Sequence, residues 1–398
     1  MDTRTTEATA LMLGFAERTG LSGGRPPRRY LWTDAFAVCN FLGLERATGE
    51  ARHRELALRL VDQVHHTLGR HRPDDVRCGW ISGLDEPAGE KHPTRGGLRI
   101  GKELPERAPD QAVDADLEWE RDGQYFHYLA QWMHALDQLS RATGQARFNR
   151  WARELAASAH RAFTSAPSAG GPRRMYWKMS IDLTRVLVPS MGQHDPLAGY
   201  VTALQLCATA ERLPQTAGGP DLREALRDFA AIAARGDWAS ADPLGIGGLL
   251  ADAGRVAQLA RERAVEDERL LERLLAAARV SLDACAASGQ LRDPAQHRLA
   301  FRELGLAIGL HAVTLIAREG PDAGPAARAE LEALLRHVPL GDEIEAFWRE
   351  PAHRAGSTWA AHRDINEVML ATRLLPGGFL LLQPPGQRIR ASSARGRS

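Results

Sequence analysis

The sequence lacks an excess charge, paired cysteines and a hydrophobic run long enough to cross a bilayer. Lys+Arg 51 against Asp+Glu 50 leaves a formal +1, which removes a strongly basic nucleic-acid binder as the default while leaving room for a local basic patch. Its four cysteines (Cys39, Cys78, Cys207 and Cys285) are scattered, with no Cys-x-x-Cys pair, so neither a disulfide framework nor a cysteine zinc site is indicated. The longest apolar stretch, Leu304 to Ala317, falls short of the roughly 20 residues a bilayer requires. Residues 1–15 lack the basic-then-apolar order of a signal peptide. No His-Glu-x-x-His, Gly-x-Ser-x-Gly or Gly-x-x-x-x-Gly-Lys-Ser/Thr string occurs, so metalloprotease, α/β-hydrolase and P-loop chemistry lack support. The expectation is a cytoplasmic protein with no metal or other cofactor and no nucleic-acid or membrane partner.

What the sequence has is helical period. The chain is 44% apolar and 25% charged, a globular balance, and no segment alternates with a period of two. Tyr125, Leu129, Trp132, Met133, Leu136 and Leu139 fall on one helical face, and Phe148, Trp151, Leu155, Ala159 and Phe163 on the next. Between them lies Arg141-Ala142-Thr143-Gly144, which repeats Arg46-Ala47-Thr48-Gly49 at an offset of 95 residues. Each copy ends a helix on glycine, the residue that tolerates the left-handed stop. Helical hairpins are predicted over 34–48 with 50–70 and over 123–143 with 145–165.

Weaker pairs follow near 197–208 with 219–235, 243–262 with 265–288, and 297–318 with 323–338. A last helix over 359–374 and an N-terminal helix over 5–20 lack partners, and docking them together makes a sixth hairpin. The result is an all-α fold, an (α/α)6 barrel or toroid. A single domain is expected over 1–386, with long loops 71–122, 166–195 and 339–358 at one mouth. The tail 387–398, with Arg388, Arg390, Arg395 and Arg397 and no acid, is expected to be disordered.

Aromatic and acidic residues crowd the starts of the inner helices: Tyr30-Leu31-Trp32-Thr33-Asp34, Glu118 to Tyr125, and Trp359 to Asp364. With six hairpins and one-sided long loops, the chain resembles the six-hairpin glycosidase-like superfamily. That resemblance implies a sugar or oligosaccharide held in the funnel of the ring. A glycoside hydrolase-like activity through paired carboxylates leads, and epimerisation or isomerisation with histidine bases is the near alternative. From another class, a non-catalytic helical-repeat interaction protein also fits the pattern.

Candidate catalytic residues are Glu118, Glu120, Asp122 and His127 on one wall, His362, Asp364 and Glu367 on another, and Asp34. Asp34 and Asp122 read equally as helix caps. Candidate sugar contacts are Trp32, Trp119, Gln124, Tyr125, Trp359, Arg363 and Asn366, since an aromatic face beside carboxylates matches a sugar ring. Arg363 and Glu367 also fit a simple ion pair at i, i+4. The run Lys91, His92, Arg95, Arg99, Lys102, broken by glycines, is either solvated surface or a site for a phosphate or uronate, with Arg95, Arg99 and Lys102 as its contacts. Asp195-Pro196 and Asp242-Pro243 read as helix caps, and Gly245 to Gly248 as a close-packing stretch.

Overall fold

The computed structural model describes residues 2–165, 171–213, 218–320 and 324–383. Both Arg-Ala-Thr-Gly copies build the same turn. Gly49 (φ 73°) and Gly144 (φ 70°) are left-handed caps, and each donates its N–H to the carbonyl four residues back, Glu45 and Ser140. The preceding threonines act alike, Thr48 Oγ1 donating to Leu44 O and Thr143 Oγ1 to Leu139 O.

In chain order the helices begin with α1 (Thr3–Arg18), α2 (Leu31–Thr48), α3 (Ala51–Leu68) and the short α4 (Glu86–Lys91) and α5 (Ala115–Glu120). They continue with α6 (Phe126–Thr143), α7 (Ala146–Phe163), α8 (Asp195–Arg212), α9 (Arg223–Ala233), α10 (Pro243–Arg261) and α11 (Leu270–Ser288). The last are α12 (Ala300–Glu319), α13 (Pro325–Leu335), α14 (Val338–Arg349), the short α15 (Pro351–Arg354) and α16 (Ser357–Ala361), α17 (Arg363–Leu374) and α18 (Gly377–Leu380). Among the described residues, strand is confined to two small antiparallel sheets in the loops: β1 (Gln124–Tyr125), β4 (Lys178–Met179) and β5 (Val186–Val188) in one, β2 (Thr164–Ser165) and β3 (Arg174–Met175) in the other.

Six helices form an inner ring: α2 packs on α6, α6 on α8, α8 on α10, α10 on α12, α12 on α17, and α17 back on α2. The fold is an all-α (α/α)6 toroid. The N-terminal α1 packs on α17 and completes the sixth pair, held by Arg18 to Glu367 at 2.5 Å and by Arg4 to Glu345 at 2.8 Å. Helix α12 is apolar and long enough to cross a membrane by length and composition, but it is an inner-ring helix and buries that surface against α10, α14 and α17.

Two expectations need correction. Residues 339–358 are not a long loop but largely helix. Pro339 lies in the first turn of α14, where a missing N–H costs nothing, and the helix buries Ile344 and Trp348. The main outer partner of α12 is therefore α14, while α13 packs chiefly on α11. The last inner helix is also broken: His362 (φ −121°, ψ 29°) separates α16 from α17. The arginine-rich tail at 387–398 lies outside the described residues.

The bore has one sealed end. After Pro376 the chain crosses the C-terminal ends of the inner helices, and its carbonyls accept hydrogen bonds from their side chains. His134 Nε2 binds Phe379 O at 2.9 Å, Gln138 Nε2 binds Gly378 O at 2.9 Å, and Gln258 Nε2 binds Leu380 O at 2.8 Å. The opposite end, where the inner helices begin, is the mouth. There Gly248, just inside α10, is exposed, and a Cβ added to it meets nothing within 4 Å. Its neighbour Gly247 is the reverse case, because a Cβ there lands on the carbonyl of Gly305 in α12, which permits the closest approach in the ring. Gly247→Ala is expected to force α10 and α12 apart and to destabilise the protein by about 1–3 kcal/mol, the usual cost of overpacking. Thermal unfolding checks this, and an unchanged melting temperature contradicts the close approach.

Candidate active site

Two connecting segments, 71–122 and the described part of 166–195, fold over the mouth through the β1-β4-β5 sheet. Their fastener is Asp122, which is fully buried. Its carboxylate takes Arg99 Nη1 at 2.7 Å, Arg72 Nη1 at 3.4 Å, and the backbone N–H groups of Gly101 and Gly123 at 3.0 Å each. Glu118 is equally committed, to Lys178 at 3.1 Å and Arg107 at 3.0 Å. Gln124 joins three backbone groups, accepting from Leu98 N and donating to Gly96 O and Ile181 O. These three side chains hold the loop: Asp122 accepts four hydrogen bonds, Glu118 makes two buried ion pairs and Gln124 makes three hydrogen bonds to backbone. Glu120 differs, being exposed with no hydrogen-bond partner among the described residues.

The cationic run is spent in the same way. Arg99 also donates to Arg70 O and Thr67 O, Lys102 Nζ binds Trp119 O, and Arg95 lies 3.4 Å from Glu154. The run therefore fastens backbone and carboxylates rather than presenting a free cradle for an anion.

On the last inner helix, Asp364 pairs with Arg18 and Arg28, and Glu367 with Arg18 and Arg363. Both acids face α1, away from the bore. Asn366 accepts from Phe301 N and donates to Trp359 O, a helix-to-helix clasp. Asp34 accepts from Tyr30 N at 2.9 Å beside Arg29 at 3.4 Å. Because α2 begins at Leu31 with Tyr30 as its cap residue, Asp34 lies inside the helix and reaches back to its start rather than capping it, and burial pushes its carboxyl up to about 6. The three tryptophans have different companions. Trp32 packs on Phe36, which stacks on Phe379 of the bore seal. Trp119 meets Tyr125 and Trp177, whereas Trp359 stacks on Trp348 beneath the surface of the α14 region.

What the fold gathers at the mouth is centred on His127. On α6, His127, Gln131 and His134 lie at i, i+4 and i+7, one stripe, and the bore-sealing contact of His134 shows that this stripe faces inward. His127 is half-buried and stands between Tyr125 (rings 5.7 Å apart, nearly parallel) and Tyr128 (4.6 Å, perpendicular). No described residue hydrogen-bonds its imidazole, and burial alone lowers its pKa to about 4, so it is neutral at physiological pH. Tyr128 shares a 2.7 Å hydroxyl–hydroxyl bond with Tyr30 of α2. Between α16 and α17, His362 is exposed at the rim with its ring 5.6 Å from Phe301 of α12. Arg302, next to Phe301, binds Asp242 at 2.6 Å, and Asp242 caps α10 through Gly245 N at 2.9 Å. Sequence reasoning missed Tyr30, Tyr128, Gln131 and Arg302 as mouth residues. The polar stripe on α6 was the available signal, hidden by reading only the apolar positions of that helix.

The site is a funnel with a neutral imidazole, tyrosine hydroxyls and one guanidinium on its walls. Among the described residues no group of three or more His, Cys, Asp and Glu could hold a metal ion. No known family model matches the chain, and no curated protein is similar to it. Among solved structures, cellobiose 2-epimerase from Spirochaeta thermophila DSM 6192 aligns over 94% of this chain and 99% of its own, at 13% identity and a TM-score of 0.45.

Neutral buried histidines give the fold a pH dependence with a definite sign. Burial lowers His65 and His134 to about 3, and His127 and His311 to about 4. Unfolded, each binds a proton near 6.5. As the pH falls below about 6.5 the unfolded chain takes up protons that the folded chain refuses, and stability is lost. Asp34 and Asp195 oppose this, because the folded state protonates them at about 6 and about 7, above their unfolded value of about 3.9. Four imidazoles outweigh two carboxyls, so the melting temperature is expected to fall between about pH 7 and about pH 5. A rise over that range contradicts the assignment of these histidines as neutral.

Proposed function

We propose that this protein is a soluble, cytoplasmic carbohydrate-active enzyme that binds a sugar in the funnel and interconverts it by proton transfer, as an epimerase or isomerase does. The observation that carries this reading is His127, an un-ionised imidazole on the bore wall with no protein partner, flanked by aromatic rings. A base must keep its lone pair free for the proton it takes, and no described residue hydrogen-bonds the His127 imidazole, which only the rings of Tyr125 and Tyr128 flank. Tyr125 and Tyr128 offer the apolar faces and Tyr30 and Tyr128 the hydroxyls that a sugar ring matches. His362, at the rim two inner helices away, is the second imidazole of the alternative set out from the sequence.

Hydrolysis by paired carboxylates has less support. It needs two carboxyl groups free to face a glycosidic bond, and of the acids first considered only Glu120 is free of cations and caps. The closed ring and sealed bore also weigh against an open scaffold that merely docks partners.

Solvent exchange tests the proposal. Incubated in heavy water with glucose, mannose or fructose, the protein is expected to place deuterium on the carbon beside the carbonyl of at least one of them. His127→Gln should slow that exchange by about 10²–10⁴-fold, the usual worth of a positioned base. Gly248→Leu, which fills open funnel space, should block it while leaving the fold intact. Release of free sugar from aryl glycosides, lost in Glu120→Gln and retained in His127→Gln, would replace this reading with hydrolysis.

A further inference from the structure

Of the two Asp-Pro helix starts, only one is a cap. Asp242 accepts from Gly245 N and pairs with Arg302. Asp195 does neither: α8 has no side-chain cap, and its residue before the helix is His194. The Asp195 carboxyl is 5% exposed, with Oδ2 fully buried and unpartnered. The carboxyl lies against Gly192, whose missing Cβ leaves the space that Oδ2 occupies and whose backbone hydrogen-bonds the group.

Register places this carboxyl on the bore face. Asp195, Thr202 and Thr209 lie at i, i+7 and i+14, a single stripe on α8. Thr202 meets Arg255 of α10 at 3.3 Å, and Thr209 donates to Asp137 of α6 at 2.9 Å, so the stripe faces the interior between α6 and α10. Asp195 is its mouth end, on the helix next to the one that carries His127. The other charged groups at that level are committed: Asp242 to Arg302, and Glu118 and Asp122 to their own cations. His194 Nε2 binds Trp238 O at 2.8 Å.

We propose that Asp195 is the proton donor of the funnel, a buried carboxyl with no cation beside it at the mouth end of the helix next to the one that carries the imidazole base. This inference rests on the proton-transfer reading above. Burial without a cation to offset it pushes the group up to about 7, in the range where a donor is protonated yet able to give its proton. In the step so defined, a neutral imidazole nitrogen of His127 takes the proton from the carbon beside the sugar carbonyl. The C–H electron pair forms the carbon–carbon double bond as the carbonyl π pair moves to oxygen, which takes the Asp195 proton. The product is an enediol, with His127 as imidazolium and Asp195 as carboxylate. Return of a proton to carbon and of the hydroxyl proton to Asp195 restores both groups. Gly192 is the lid residue that leaves room for the acid.

The test pairs a direct observation of the carboxyl with the exchange assay. Infrared spectra of the wild type at about pH 6 should contain the carbonyl stretch of an un-ionised acid that is missing from Asp195→Asn. The comparison of the two removes any signal from Asp34. Asp195→Asn, an isosteric change, should keep the melting temperature and the protection given by whichever of glucose, mannose or fructose exchanges, while deuterium incorporation falls at least about 10²-fold. If the neutral-acid band is the same in both proteins, or if Asp195→Asn exchanges within a few-fold of wild type, Asp195 is not the donor. If the wild type exchanges no sugar although the band is present, the proton-transfer reading itself fails and takes the donor role with it.

Discussion

The mouth of this ring depends on one buried carboxylate. Asp122 is fully buried, and its two oxygens bind two guanidiniums and two backbone N–H groups. Through them it fixes the segment from Arg99 to Gly101 against Gly123. Gly123 leads directly into Gln124, Tyr125 and the first turn of α6, so the same anchor sets where His127 stands. Breaking such a buried pair by removing one partner typically costs about 3–5 kcal/mol, because the orphaned charge stays buried. The function of Asp122 is thus mechanical: it turns a long connection into a wall.

A second constraint acts at the other end. Inner helices are buried all round, yet α6, α8 and α10 carry polar side chains toward the axis. Asp137 shows how they are satisfied, binding Arg141 at 3.0 Å, Asn149 at 2.9 Å, Gln205 at 2.8 Å and Thr209 at 2.9 Å. His134, Gln138 and Gln258 find their partners in the backbone of residues 378–381. The network ties α6 to α7, α8 and the 378–381 segment, although Arg141 Nη2, Asn149 Oδ1 and Gln138 Oε1 within it have no hydrogen-bond partner among the described residues, and with the α18 segment across it the bore becomes a blind funnel. Toward the mouth the buried unpartnered atoms include Oε1 of Gln131 and Oδ2 of Asp195.

The sequence carried the architecture well, because helix period, glycine stops and unpaired terminal helices are local signals with one consistent closure. It misread 339–358, where Pro339 and Gly341 look like loop residues although the pattern Ile344, Trp348 is that of a buried helical face. The site was less legible. Asp242 obeyed the capping rule and Asp195 departed from it, and no local pattern separates the two Asp-Pro starts: the difference lies in Gly245 N and Arg302 on one side, and in Gly192 on the other. Acids on the loop, such as Glu118, and basic residues, such as Arg99, were spent on each other and on backbone, a pairing across 60 residues for Glu118 with Lys178. His127 was visible by type, and its neutrality came only with the burial that the ring imposes.

The central claim is that a sugar meets an un-ionised His127 at the mouth of the funnel. Histidine-labelled protein, with the His127 imidazole assigned from the His127→Gln spectrum, measures this by nuclear magnetic resonance. The account predicts imidazole signals of the neutral form throughout the range from about pH 7.5 to about pH 5, displaced on addition of glucose, mannose or fructose. A His127 that titrates near 6.5, the value of a free side chain, and whose signals ignore all three sugars, would contradict it.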